Sequence, residues 1–251
     1  MDLGLTGKRA LVTGGSSGLG FASARALANE GAIVTIASRN ESKLGRAARS
    51  IEDSVHAGVH AIAADVSEPD AVQALVEKSR EIMGGIDILI ANAGGPPPGS
   101  FASTPFDAYS EALRLNLLST VALCQLVVPS MREQKWGRVL AITSASVREP
   151  IDRLILSNTA RAGVTGFLKT LAREVAADGV TVNSLQPGLH LTDRLTELYG
   201  DTSSLASSIP ARFLGDPDDF GRVAAFLCSV HTRFITGVAL PLDGGSLRGL
   251  Q

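Results

Sequence analysis

Apolar and polar residues follow two alternating periods along this chain. Short aliphatic, β-branched runs predict strands near Arg9–Thr13, Ile33–Ser38, His60–Asp65, Asp87–Asn92, Arg138–Thr143, Thr181–Gln186 and Ala239–Asp243. Between them, longer stretches with helical spacing predict helices near Gly18–Glu30, Ser42–Asp53, Asp70–Met83, Phe106–Glu133, Ser157–Asp178 and Asp218–Ser229. This alternation implies right-handed crossovers, hence an α/β fold: a doubly wound parallel sheet of about seven strands with helices on both faces. No repeat or composition break divides it, so residues 1–251 read as a single domain. Two segments interrupt the pattern. Gly94-Gly95-Pro96-Pro97-Pro98-Gly99 reads as a stiffened connector after the fourth strand, and residues 189–213 as a lid over a ligand.

Composition narrows the picture in three ways. Hydrophobic residues make up 45% and aromatic residues 4%, so the core is aliphatic and alanine-rich, which suits helices lying close to a sheet. A net charge of −2 offers no general attraction to nucleic acid or to anionic membranes. The two cysteines, Cys124 and Cys228, each sit in an apolar stretch and read as buried free thiols, with a disulfide as the lesser reading. The residues from Met1 to Lys8 carry no secretory pattern, and no segment is expected to reach transmembrane length, which points to a soluble cytoplasmic protein.

The first candidate chemistry follows the first strand. Thr13-Gly14-Gly15-Ser16-Ser17-Gly18-Leu19-Gly20 places glycines where a strand turns sharply into a helix, and where backbone must approach a diphosphate. Free N–H groups at the helix start then meet the phosphate charge. At the end of the second strand stand Ser38 and Arg39, where an acidic residue would accept the ribose 2′-hydroxyl of NAD. Arg39 is either the partner of a 2′-phosphate or an ordinary exposed charge. The first reading predicts a preference for NADP(H), with NAD(H) possible.

These residues identify a resemblance. The chain resembles the short-chain dehydrogenase/reductase superfamily over essentially its whole length, and within it the 3-oxoacyl-acyl-carrier-protein reductase-like members. The matching residues are Thr13–Gly20, Asp65-Val66, Asn92-Ala93-Gly94, Asn116, Ser144, Pro187-Gly188, Thr192, Ile235-Thr236-Gly237 and Asp243-Gly244-Gly245. The resemblance implies that Asp65 and Val66 contact the adenine, that Asn92, Ala93 and Gly94 border the ribose, and that Pro187 to Thr192 cradle the nicotinamide carboxamide. It implies a tetrad of Asn, Ser, Tyr and Lys for catalysis, and helices around Asn116–Arg132 and Gly163–Ala177 paired in a homodimer or homotetramer.

The tetrad is where this chain departs from the family. Position by position it supplies Asn116, Ser144, Ser157 and Arg161, so serine stands for the tyrosine and arginine for the lysine. Ser157 and Arg161 are four residues apart and share one helical face. A serine hydroxyl is a far weaker acid than a phenol of pKa ~10, and arginine gives up no proton at neutral pH. Arg161 retains hydrogen bonds for ribose hydroxyls. His190 is a substitute acid near the nicotinamide or else an ordinary solvated loop residue, and Tyr199 is lid packing or a substitute acid. His56 and His60 are also four apart, but no further ligands accompany them and no metal is expected.

Two functions remain in competition at this level. One is an NADP(H)-dependent oxidoreductase acting on a carbonyl or hydroxyl group, with Ser144 polarising the oxygen and a water at Asn116 or His190 supplying the proton. The other is a catalytically impaired NADP(H)-binding sensor or interaction protein. Leu195, Leu198, Tyr199, Leu205 and Ile209 lean weakly towards an acyl or lipophilic substrate.

Overall fold

The computed structural model describes residues 1–55 and 58–250, so His56 of the His56/His60 pair lies outside the described residues. Seven strands form one parallel sheet: β1 (Arg9–Thr13), β2 (Ile33–Ser38), β3 (Val59–Ala63), β4 (Ile88–Ala91), β5 (Gly137–Ile142), β6 (Val180–Pro187) and β7 (Ala239–Leu242). Their spatial order is β3-β2-β1-β4-β5-β6-β7. β1 pairs with β2 on one side and β4 on the other, Leu11 lying opposite Thr35 and Leu89. The chain therefore winds outwards in both directions from β1 and β4. Their carboxyl ends make the crevice where such sheets bind ligands.

Successive side chains of the central strands enter opposite cores. Ala10 and Val12 of β1 join a core closed by α1 (Gly18–Asn29), α2 (Glu41–Val55) and α8 (Pro217–Leu227). Leu11 joins the other, closed by α3 (Pro69–Met83), α5 (Ser119–Glu133) and α6 (Ile155–Val175). Small residues set the approach of α1 and α8: a Cβ on Gly221 would lie 2.4 Å from the carbonyl oxygen of Ala22. Both cysteines are buried and free.

The single helix expected over Phe106–Glu133 is not uniform. It runs as α4 (Phe106–Leu113), a wider π turn (Arg114–Leu118) and then α5. Hydroxyls compensate the loosened ladder, Ser119 donating to the Leu115 carbonyl (2.6 Å) and Thr120 to that of Asn116 (3.0 Å). Such bulges occur frequently at functional sites, and this one contains Asn116. The stretch also corrects the expectation that no segment reaches transmembrane length. Phe106–Glu133 is long and apolar enough to do so, with mean hydropathy 1.5 over an 18-residue window. Nearly half of that window is buried inside the protein, where Leu123, Val127 and Met131 fill the second core.

Candidate active site

The glycine turn is held by cross-strand bonds. At the end of β1 the Thr13 hydroxyl donates to the Asn92 carbonyl (2.7 Å) and accepts from the Asn92 N–H (2.9 Å). The Asn92 amide donates to the carbonyl of Gly14 (3.3 Å). Gly14 has φ +59°, and a Cβ there would sit 2.5 Å from Asn92 Nδ2. Gly20 is required for a different reason: its Cβ would lie 2.3 Å from the Gly14 carbonyl oxygen, against which α1 packs. Ser17 precedes α1 in extended conformation and makes no side-chain cap, so the first N–H groups of the helix have no side-chain acceptor. Ser16 is half-buried and Ser17 exposed, while Leu19 packs on the first core and offers only its backbone. Across the crevice the Thr192 methyl lies 3.5 Å from where a Gly18 Cβ would be.

At the other end of this half-site, Ser38 Oγ is buried without a hydrogen-bond partner among the described residues. The Arg39 side chain is 69% exposed and only loosely drawn to Asp65, at 3.9 Å. Burial raises the Asp65 carboxyl, but the Ser67 N–H and hydroxyl, together with the Arg39 charge, outweigh it and hold the group below its ordinary range. Val66 packs against the second core. A cradle that a Cβ at Gly14 or Gly20 would fill, a buried hydroxyl and an exposed, loosely paired guanidinium together fit a 2′-phosphorylated dinucleotide.

Asn116, Arg161 and Ser144 lie at the carboxyl ends of β4 and β5, with Ser157 one turn before Arg161 on α6. The Asn116 amide donates to the Gly94 carbonyl (3.0 Å), and its Oδ1 is buried with no partner among the described residues. Arg161 is 9% exposed. Its guanidinium donates to the carbonyls of Ile142 (2.9 Å), Thr143 (3.2 Å) and Ala93 (3.3 Å), tying the two strand ends together. Burial, then the neighbouring charge of Arg194, push its pKa down to about 10, so it remains a cation at neutral pH. Ser144 caps a short 3-10 turn, its Oγ accepting from the Ser146 N–H (3.1 Å), which leaves its own hydrogen free to donate. Ser157 is half-buried in the first turn of α6 and makes no side-chain hydrogen bond among the described residues.

The loop after β6 is braced from behind. The Gly188 N–H donates to Leu242 (2.9 Å), and a Gly188 Cβ would meet Asp243 at 2.8 Å. Asp243 in turn accepts from the N–H groups of Gly245 and Leu247. Pro187 ends β6, and Thr192 starts α7 (Asp193–Tyr199). His190 corrects the reading of it as a substitute acid. Its ring is buried edge-on against Phe220 (5.3 Å) and would collide with a Cβ on Gly215, so it faces α8. Burial holds the imidazole below its ordinary range, despite the Gly188 carbonyl and the Asp216 charge. Tyr199 is 43% exposed at the end of α7.

Two features were missed in the sequence. The Gly94–Gly99 loop is more than a connector, because its Gly99 bridges Leu154 and so sets where α6, and with it Ser157, begins. Arg194 of α7 reaches across to donate to the Pro96 carbonyl (2.8 Å). The only cue to either was position, a cation two residues past Thr192 and a proline run past Asn92.

Comparison with known proteins places the fold. Residues 14–246 match the family described as enoyl-(acyl carrier protein) reductase. The chain is 36% identical to 3-oxoacyl-[acyl-carrier-protein] reductase FabG of Vibrio cholerae, covering 97% of this chain and 98% of that protein. It is 32% identical to dehydrogenase/reductase SDR family member 4 of Bos taurus, covering 98% and 89%. Its structure superposes on L-sorbose reductase from Gluconobacter frateurii complexed with NADPH and L-sorbose, with TM-score 0.94, 33% identity and full coverage of both chains. Matched along nearly its whole length by this family and these relatives, the chain belongs to the short-chain dehydrogenase/reductase superfamily of oxidoreductases, among the acyl-carrier-protein reductase-like members.

Proposed function

We propose that this chain is an NADP(H)-dependent oxidoreductase acting on a carbonyl or hydroxyl substrate, 3-oxoacyl reductase-like, with an acid/base site built without tyrosine. The observation that carries this reading is the buried web at one sheet edge. Among the described residues Asn116 keeps a free acceptor, Ser144 a free hydrogen, and Arg161 a charge, beside the Ala93–Gly94 backbone that follows β4. NADPH, when bound, supplies the hydride. Ser144 donates to the substrate oxygen, its lone pair already engaged by the Ser146 N–H. Asn116 Oδ1 holds a water whose proton replaces that of the absent phenol. Arg161, fixed by three carbonyls, supplies positive potential as negative charge develops on that oxygen. A homodimer or homotetramer in the cytoplasm belongs to the same reading, with exposed Phe101, Phe106 and Leu118 as apolar surface that the monomer leaves open.

Ser144→Ala is expected to lower kcat/KM ~10²-fold in steady-state assays of carbonyl reduction, the usual loss for a donor to a developing oxyanion. Unchanged turnover would remove Ser144 from the mechanism. NADPH titration with NADH as competitor tests the nucleotide half. Arg39→Glu is expected to lower the NADPH/NADH affinity ratio ~10-fold or more, since a charge-assisted bond to phosphate becomes a repulsion. An unaltered ratio would return Arg39 to the status of a surface charge. One observation favours the sensor reading: the Arg161 guanidinium is largely consumed by backbone carbonyls, as a structural tie would be. Tight NADPH binding without turnover of any carbonyl substrate would select it.

A further inference from the structure

Three neighbouring carbonyls of one loop are each held by a different side chain: Ala93 by Arg161, Gly94 by Asn116 and Pro96 by Arg194. Two of those side chains are cations, close enough for the charge of Arg194 to act on Arg161. Arg161 has no carboxylate partner among the described residues, which is costly for a buried charge. Arg194 has only Glu197, an exposed pair on its own helix at 3.3 Å, worth little in water. The Arg194 guanidinium also lies over Gly95, where a Cβ would come within 3.0 Å of Nη2, so the glycine leaves room for the cation at the crevice. Two guanidiniums thus meet at this loop with one exposed carboxylate between them, an excess of positive charge beside the crevice.

We propose that Arg194, backed by Arg161, is a specificity-determining anion receptor. It takes an oxyanion of whatever fills the crevice: a carboxylate beside the reacting carbonyl of the substrate, or the diphosphate of the nucleotide. The inference deepens the oxidoreductase reading and rests on it for the identity of the ligand. A planar guanidinium suits both groups through paired N–H donors. Its bond to Pro96 ties residues 189–213 to the Gly94–Gly99 loop and so holds the guanidinium at the crevice.

The test uses Arg194→Gln, which keeps an amide donor for Pro96 and loses the charge, beside Arg194→Met, which loses both. Arg222→Gln, an exposed charge on α8 paired with Asp219, controls for loss of a cation in general. Calorimetric titration of inorganic pyrophosphate and fluorescence titration of NADPH address the diphosphate. KM for a 2-oxo acid against that for its uncharged amide addresses the carboxylate. Arg194→Gln is expected to weaken pyrophosphate and NADPH ~10-fold or more, or else to leave both unchanged and remove a ~10-fold KM advantage of the acid over the amide. Either result supports the receptor and names its anion. Pyrophosphate, NADPH and KM ratio all unchanged in Arg194→Gln, with defects only in Arg194→Met, would overturn it and make Arg194 a mere latch. If the natural chain binds no NADPH, the oxidoreductase reading fails on its own, and the pyrophosphate titration still decides Arg194.

Discussion

The double variant Ser157→Tyr/Arg161→Lys is expected to reduce carbonyl substrates with kcat ~10²–10⁴-fold above the natural chain, the range a positioned general acid contributes. The geometry for it is already present. Ser157 lies in the first turn of α6, half-buried, one helical turn before Arg161, and the start of that helix is pinned by the bridge between Gly99 and Leu154. A phenol of pKa ~10 placed there gives up its proton far more readily than a serine hydroxyl, and an ammonium nearby lowers its pKa further. Lysine brings three donors on a slimmer head, which frees space beside the ribose but leaves some of the carbonyls of Ala93, Ile142 and Thr143 unpaired. A stability loss of about 1–3 kcal/mol is therefore expected alongside the gain in rate. Single-turnover rates at saturating NADPH, with thermal melts of the same samples, separate the two effects. A double variant that binds NADPH normally yet turns over no faster would show that proton supply does not limit this site.

Gly20→Ala is expected to abolish measurable nucleotide binding, weakening NADPH more than ~100-fold, and to cost about 3 kcal/mol of stability. The new methyl would lie 2.3 Å from the Gly14 carbonyl oxygen and 2.6 Å from Asn92 Nδ2, the first fixed in the backbone and the second held by its bond to that same carbonyl. Relief requires α1 to move off β1, which breaks the bond from Asn92 to Gly14 and displaces the N–H groups that would meet the diphosphate. Gly45→Ala on α2 is the contrasting case, since a Cβ there has nothing within 4 Å. Because alanine is the better helix former, that change is expected to stabilise by about 0.5–1 kcal/mol and leave binding intact. Denaturant titrations and NADPH fluorescence on both variants check the contrast. Normal binding by Gly20→Ala would mean that the turn adapts and does not set the nucleotide site.

Much of this was legible because parallel α/β architecture writes itself locally. β1, β2 and β5 lie within a residue of the runs that predicted them, since buried strands must be continuously apolar. The glycine turn was legible because only glycine tolerates its geometry. The break at Arg114–Leu118 was not, because the residues around Asn116 have ordinary helical spacing, and the π turn arises where the Asn116 amide is drawn to Gly94. His190 was misjudged for a similar reason. A histidine in a loop after a strand carries no mark of which way it turns, and here Phe220 and Gly215, from a later part of the chain, capture the ring.

By itself the sequence determined the doubly wound sheet, the glycine turn after β1 and the presence of Ser157 and Arg161 four residues apart on one helix. Periodicity and residue type act over a few neighbouring positions, so these features needed nothing from afar. Only the tertiary structure decided that Arg161 is a buried tie between β4 and β5, that His190 faces α8, and that Arg194 joins the lid to the Pro96 carbonyl. Each depends on partners 18 to 98 residues away, whose approach is set by how the helices pack on the sheet.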